Sequence, residues 1–376
     1  MFGFGTLASY KYFGHLERAI VEGFRKRGLP AITFVADVPP TASIRKRALR
    51  LLNLIDRTHS DAAGDDGPIH LLGHSTGGLD ARLVASPSST MGGPHEWSYR
   101  LKSVTMMNTP HYGTPLATFF ATAKGQRMLH AVTALTVLGL SLGTPPLALA
   151  SALVVGLGRI DKMVGLELSA VDRMTESMLR VLDDTKSREV RTFLEAIRGD
   201  QGAVIQLTPE AMDLFHAGVQ DRPGVAYNTT ISMIPKEPQA MLRLLQAPWS
   251  FISAPLFSSI AQITAGVDDR YPCSADVLTE DQIEALSRAY GEVPERGSDG
   301  VVPVRSQIWG KVIWAGLADH LDVLGHFRED GKAEHRDWFS SGAGFQSRRF
   351  QELTGTIVDA MIASSLGPKE SQTSRL

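Results

Sequence analysis

Apolar positions in this chain recur with two spacings, and the spacings alternate. Residues 16–27 and 44–55 place apolar side chains three and four apart with charged residues between them, which predicts amphipathic helices. The first stops at Gly28-Leu29-Pro30, a helix-ending triplet. Between the two, residues 31–36 (AITFVA) form a short apolar run that predicts a buried strand. Runs of the same kind lie at 69–72, 101–107, 227–234 and 311–315. Helical spacing returns over 79–85, 166–182, 187–197, 279–290 and 345–364. Another helix opens at Thr208-Pro209, with the threonine as N-cap and proline in the first helical position. Pro248 and Pro255 are expected to break the apolar stretch 241–263, a candidate second part of a cap. Strands alternating with helices point to an α/β fold, a mostly parallel sheet with helices on both faces.

One segment fits neither spacing. Residues 131–158 contain no charged side chain, and Gly143-Thr144-Pro145-Pro146 divides them into halves shorter than the roughly 20 residues a spanning helix needs. Two short apolar helices in a hairpin are expected, as a lid over a site, as buried core, or as a membrane-embedded hairpin; the lid is preferred. The resulting division is a core of 1–115 and 224–366, a helical lid or cap insertion of 116–223, and a flexible tail of 367–376.

The chemistry concentrates where the run Ile69-His70-Leu71-Leu72 meets Gly73-His74-Ser75-Thr76-Gly77-Gly78. A serine between glycines, after a strand and before a helix, fits the G-x-S-x-G nucleophile elbow. The crowded turn needs small neighbours, which Gly73 and Gly77 supply, and Gly78 lets the helix pack close to the strand. Ser75 is the candidate nucleophile, and the Thr76 N–H at the helix N-terminus is a candidate oxyanion donor. A serine hydroxyl needs a base, and the base needs an orienting carboxylate. Downstream, in the order acid then histidine, come Asp299 in the tight loop Ser298-Asp299-Gly300 and His320 just after the run KVIWA. Asp-Gly is also a common turn pair, and His320 is also readable as a loop residue. Among the rivals, Asp322 lies awkwardly close to His320, His74 is expected to point away from the site, and His326 and His335 are expected at the surface. His111 and Tyr112, after the strand 101–107, sit where such sheets place ligands and are candidate substrate-binding residues.

Composition changes this picture only by exclusion. A net charge of −2 and a pI near 6.6 give no reason to expect nucleic acid. The single cysteine, Cys273, excludes an internal disulfide and a zinc cluster, and no H-E-x-x-H spacing is present, so no cofactor and no metal are expected. The N-terminus shows no signal-peptide pattern, which reads as cytoplasmic for the chain as it stands and secreted if the start lies upstream.

Together these motifs resemble the bacterial triacylglycerol lipases of the α/β-hydrolase fold. The resemblance rests on Phe2-Gly3-Phe4, the elbow around Ser75, the turn 109–115, the loop Asp299-Gly300-Val301-Val302, and His320-Leu321-Asp322. It implies carboxylic ester hydrolysis through an acyl-serine, with Ser75 as nucleophile, His320 as base and Asp299 as its partner. It also implies a lipid or small-molecule ester as substrate and possible contact with a lipid interface. In that family a buried strand and a His-Gly pair precede the first loop; here the chain opens in that loop. Met1 and Phe2 therefore stand at the second oxyanion donor position, and a first strand is expected to be missing. Some members bind calcium through an aspartate placed like Asp322, but no partner ligand is evident. An acyltransferase or thioesterase would use the same triad, and a non-catalytic hydrolase-fold protein binding a membrane or partner through 131–158 is the reading from another class.

Overall fold

The computed structural model describes residues 6–7, 10–61, 67–89, 91, 95–123, 125–126, 128–130, 132–133, 176, 180, 184–235, 250–266, 269–271, 277–327, 329 and 341–366. Met1, Phe2, Cys273, His335, the tail and, apart from Val132 and Thr133, the uncharged segment 131–158 lie outside them. So does nearly all of the helix expected over 166–182.

A two-residue antiparallel pair, β1 (Thr6–Leu7) and β2 (Tyr10–Lys11), leads into helix α1 (Gly14–Lys26). Helix α2 (Ile44–Asp61) precedes strand β3 (Ile69–His74), helix α3 (Thr76–Ala85) and strand β4 (Leu101–Met107). Among the described residues the next helices are α4 (Pro115–Phe120), α5 (Asp184–Gly199), α6 (Gly202–Gln206) and α7 (Pro209–Gly218). Then come β5 (Ala226–Met233), α8 (Ser250–Thr264), α9 (Glu280–Tyr290), β6 (Lys311–Leu317) and α10 (Ser347–Ser365). Strands β3, β4, β5 and β6 pair in parallel in that order, so the protein is a mixed α/β structure with a parallel sheet flanked by helices.

The helix boundaries follow local chemistry. Thr208 caps α7 by accepting the Ala211 N–H, with Pro209 at the first position. Thr279 and Gln282 form a reciprocal capping box on α9, which Gly291 ends in the left-handed conformation. Each face of the sheet buries one stripe. Ala48, Leu52 and Ile55 of α2 pack with Ala81 and Val84 of α3 over Leu71, Val104 and Met106. On the other side Leu16 and Ile20 of α1 meet Leu353, Ile357 and Val358 of α10. Among the described residues of 116–223, Leu116, Phe120, Val190, Leu194 and Val204 belong to that second cluster, and Ala117, Leu207 and Met212 pack with Ile44 and Leu79.

Three expectations are corrected. Residues 31–36 form no strand: the segment is irregular, and Ile32 and Phe34 are 78% and 61% exposed. An apolar run becomes a strand only when a neighbouring strand satisfies its backbone, and none lies beside it among the described residues. Pro255 does not end a helix but lies within α8, whose far half is anchored by Phe257 and Ile260 in the core. His326 is fully buried, because its Nε2 donates to the Tyr12 carbonyl at 2.8 Å and its ring meets Tyr12 and His15.

Candidate active site

The carboxyl ends of all four strands feed one rim of the sheet. At β3 the chain turns through Ser75 with φ 55° and ψ −129°, a left-handed value that L-residues avoid. The turn is held by the Ser75 N–H donating to the Met107 carbonyl at 2.8 Å and the Gly78 N–H to the Ser75 carbonyl at 3.0 Å. Two glycines permit it. A Cβ on Gly73 would lie 2.3 Å from the Gly77 carbonyl oxygen, and one on Gly78 would lie 2.0 Å from Thr109 Oγ1. The Thr76 N–H heads α3, where first-turn donors have no intrahelical acceptor.

The acid and the histidine arrive on the next two loops. After β5, the Ile234 N–H donates to the Ser298 carbonyl; after β6, the Ala318 N–H donates to the Met233 carbonyl and the His320 N–H to the Asp299 carbonyl. His320 Nδ1 donates to Asp299 Oδ2 at 2.7 Å, and both side chains are buried. Asp299 is fully committed: Oδ1 accepts the Val301 and Val302 N–H groups at 2.8 and 2.7 Å, and Oδ2 also accepts from Asn108 Nδ2 at 2.8 Å. That bonding fixes the tautomer of His320, with the proton on Nδ1 and the lone pair on Nε2. Nε2 is buried and has no hydrogen-bond partner among the described residues, so no hydrogen bond joins it to Ser75. Burial lowers the His320 pKa, against the opposing pull of Asp299.

His74 corrects another expectation. It does not point away: Nε2 donates to the His320 carbonyl at 2.9 Å and the two rings lie 4.6 Å apart. Burial and the neighbouring His320 hold its pKa well below 6.5, so it acts as a neutral strut between the elbow and the histidine loop. Asn108 and Asp319 were also not singled out by the sequence. Asn108 sits at φ 49° at the end of β4, a conformation asparagine tolerates better than most residues. Asp319 Oδ1 accepts the Leu321 and Asp322 N–H groups at 2.9 and 3.0 Å, while Asp322 Oδ2 accepts the Asp319 N–H at 2.8 Å. This reciprocal pair closes the turn that carries His320. Burial raises the Asp319 pKa to about 6.

His111 and Tyr112 belong to a ring cluster with Trp309 and His216. His111 is fully buried; its Nδ1 accepts from Arg82 Nη1 at 3.2 Å, and its ring stacks on Trp309. The Arg82 guanidinium sits 3.5 Å from the Trp309 ring centroid, a buried cation–π contact. Neither residue borders the two cavities that reach Ser75. The smaller, about 30 Å³, is apolar and bordered by Leu116, Phe120, Leu207 and Val302. The larger, about 750 Å³, runs from Ser75 and Thr76 along β3. Among the described residues no group of three or more His, Cys, Asp or Glu side chains is placed to hold a metal, and no helix is long and apolar enough to cross a membrane.

Neither a protein-family model nor a curated protein matches the sequence. The solved structures it resembles are bacterial lipases and esterases. Lipase 1 from Pelosinus fermentans is 16% identical, with a TM-score of 0.47 over 93% of each chain. The Staphylococcus hyicus lipase is 16% identical, with a TM-score of 0.46 over 97% of this chain and 94% of its own. EstA from Clostridium botulinum is 19% identical, with a TM-score of 0.45 over 92% of this chain and 84% of its own.

Proposed function

We infer that the protein is a serine hydrolase of carboxylic esters, an esterase or lipase. The observation that carries this reading is the Asp299–His320 pair, which holds an unengaged Nε2 lone pair on the same rim as a strained serine turn. In the proposed reaction Ser75 Oγ attacks the ester carbonyl carbon while His320 Nε2 takes the hydroxyl proton. The imidazolium is stabilised by Asp299, and the Thr76 N–H donates to the oxyanion. Collapse expels the alcohol, which takes the proton back from Nε2. Water, deprotonated by the same nitrogen, then releases the acid and restores Ser75. The reaction requires a movement that brings Nε2 and Oγ into hydrogen-bond contact, as catalytic hydrogen bonds often tighten only with substrate bound. The lining of the small cavity beside Ser75, with Leu116, Phe120, Leu207 and Val302, gives the serine an apolar neighbour on the side where the acyl carbon would enter. The segment 131–158 is proposed as a lid over this mouth and as the contact with a lipid interface; the 116–223 insertion that carries it is part of the same proposal. The second oxyanion donor is assigned to the backbone at Met1 or Phe2.

A fluorophosphonate probe tests the reading. Stoichiometric labelling mapped to Ser75, lost in Ser75→Ala, is expected. Absence of label under conditions that label a known esterase refutes it.

A further inference from the structure

Among the described residues only two that are not glycine hold φ in the left-handed region, Ser75 at 55° and Asn108 at 49°. They follow neighbouring strands, and the Ser75 N–H donates to the carbonyl of Met107, the residue before Asn108. Glycine takes that conformation without strain, so a larger residue kept there points to a task for its side chain. Asn108 is fully buried, and its side chain reaches the Asp299 carboxylate. Only the NH2 end of the amide can face a carboxylate, since its oxygen would meet another oxygen. That end makes two bonds: Nδ2 donates to Asp299 Oδ2 at 2.8 Å and to Ser232 Oγ, on β5, at 2.5 Å.

From Ser232 the bonding returns to the same carboxylate. The Ser232 N–H donates to Gln307 Oε1 at 2.9 Å, and Gln307 Nε2 donates to the carbonyls of Ser232 at 3.1 Å and Val302 at 3.0 Å. The Val302 N–H donates to Asp299 Oδ1 at 2.7 Å. The circuit Asp299–Asn108–Ser232–Gln307–Val302 is therefore closed, and every member is buried. Each carboxylate oxygen has two lone-pair sites. The backbone of Val301 and Val302 fills those of Oδ1, while Asn108 and His320 fill those of Oδ2. Asn108 is thus the side chain that turns the carboxylate plane toward the histidine.

We propose that Asn108 is a positioning residue, locked through Ser232 and Gln307, that holds Asp299 Oδ2 in line with the His320 Nδ1–H. Its effect on rate rests on the hydrolase reading; its effect on the histidine proton does not.

The test compares the full-length wild type, Asn108→Gly, Ser232→Ala and the double variant by the downfield proton resonance of the His320 Nδ1–H and by p-nitrophenyl ester kinetics. Asn108→Gly keeps the turn and removes the amide. It is expected to broaden or abolish the resonance and to lower kcat on the order of 10²-fold, with KM changed by less than about twofold. Ser232→Ala leaves Asn108 facing Asp299 but unlocked, and a loss of about tenfold in kcat is expected. The double variant is expected to be no worse than Asn108→Gly, because both changes act through one amide. The proposal is overturned if Asn108→Gly leaves the resonance and kcat at wild-type values, or if the two substitutions add. Should Asn108→Gly not fold, a wild-type resonance and kcat in Ser232→Ala overturn it instead. If the wild type neither cleaves ester nor takes a fluorophosphonate, the hydrolase reading fails alone, because the resonance is read without substrate.

Discussion

The two halves of the candidate site are built to different standards. The Asp299–His320 half is held throughout: four hydrogen bonds fix the carboxylate, a reciprocal aspartate pair closes the turn, and His74 braces the histidine's backbone. The serine half is held by backbone contacts on its β4 side and borders a cavity of about 750 Å³ on the other. His320 is therefore fixed in orientation and tautomer, while Ser75 and the Thr76 N–H, the proposed nucleophile and oxyanion donor, border open space. A site of this kind has its proton-transfer machinery set in advance and leaves its substrate-facing side to be completed.

The largest effect that separates the halves is Ser75→Ala, which is expected to lower kcat for a short-chain p-nitrophenyl ester by on the order of 10⁵–10⁶ without shifting Tm downward. Asp299→Asn keeps the volume but presents an amide to Nδ1 and favours the wrong tautomer; a loss on the order of 10⁴ in kcat is expected, with fluorophosphonate labelling slowed in parallel. Labelling against pH sharpens the picture. As the proposed base His320 would have to be neutral, and burial lowers its pKa, so labelling is expected to stay near its full rate just below pH 6.5 and to fall only as the lowered value is crossed. His74→Ala removes the strut and leaves a buried carbonyl unpaired. A cost of about 1–3 kcal/mol by urea denaturation is expected, with the serine half unperturbed in structure.

The smallest expected effect belongs to Asp319. Its carboxyl is raised to about 6 in the folded protein, as is that of Asp80, where burial outweighs the Arg47 ion pair. Between the ordinary value of 3.8 and about 6 the native state holds more protons than the unfolded one. Stability is therefore lost as pH rises through this window. Asp319→Asn keeps an acceptor for the Leu321 and Asp322 N–H groups and cannot titrate. Urea denaturation at pH 4.5 and 7 is expected to show a smaller drop for the variant than for the wild type, with the Asp80 share of the drop retained.

What the sequence disclosed follows the range of the interactions. Helices with local caps, such as α7 and α9, and strands with buried faces, such as β4, were legible because their causes lie within a few residues. The sharp turn at Ser75 was legible from the glycines around it, and the sequence named both members of the Asp299–His320 hydrogen bond by residue type and order, while their proposed roles rest on chemistry. Residues 31–36 misled because composition reports a wish for burial and not whether a partner strand is present. His74, Asn108 and Asp319 act through contacts made only once distant loops meet: Asn108 reaches a carboxylate 191 positions away. The one sequence signal for Asn108 was its residue type at a strand end, where a left-handed turn was open to it.

The φ of 55° at Ser75 has a corollary for how the chain would change under selection for robustness alone. A side chain in that conformation costs about 1–3 kcal/mol, and glycine does not incur it. If Ser75 is the nucleophile proposed above, Ser75→Gly is a route to a protein that melts higher and does no chemistry, and libraries screened only for heat resistance would drift toward inert winners. On the proposed function, keeping a hydroxyl there is a standing sacrifice of sturdiness, tolerated where turnover is what survives the sieve.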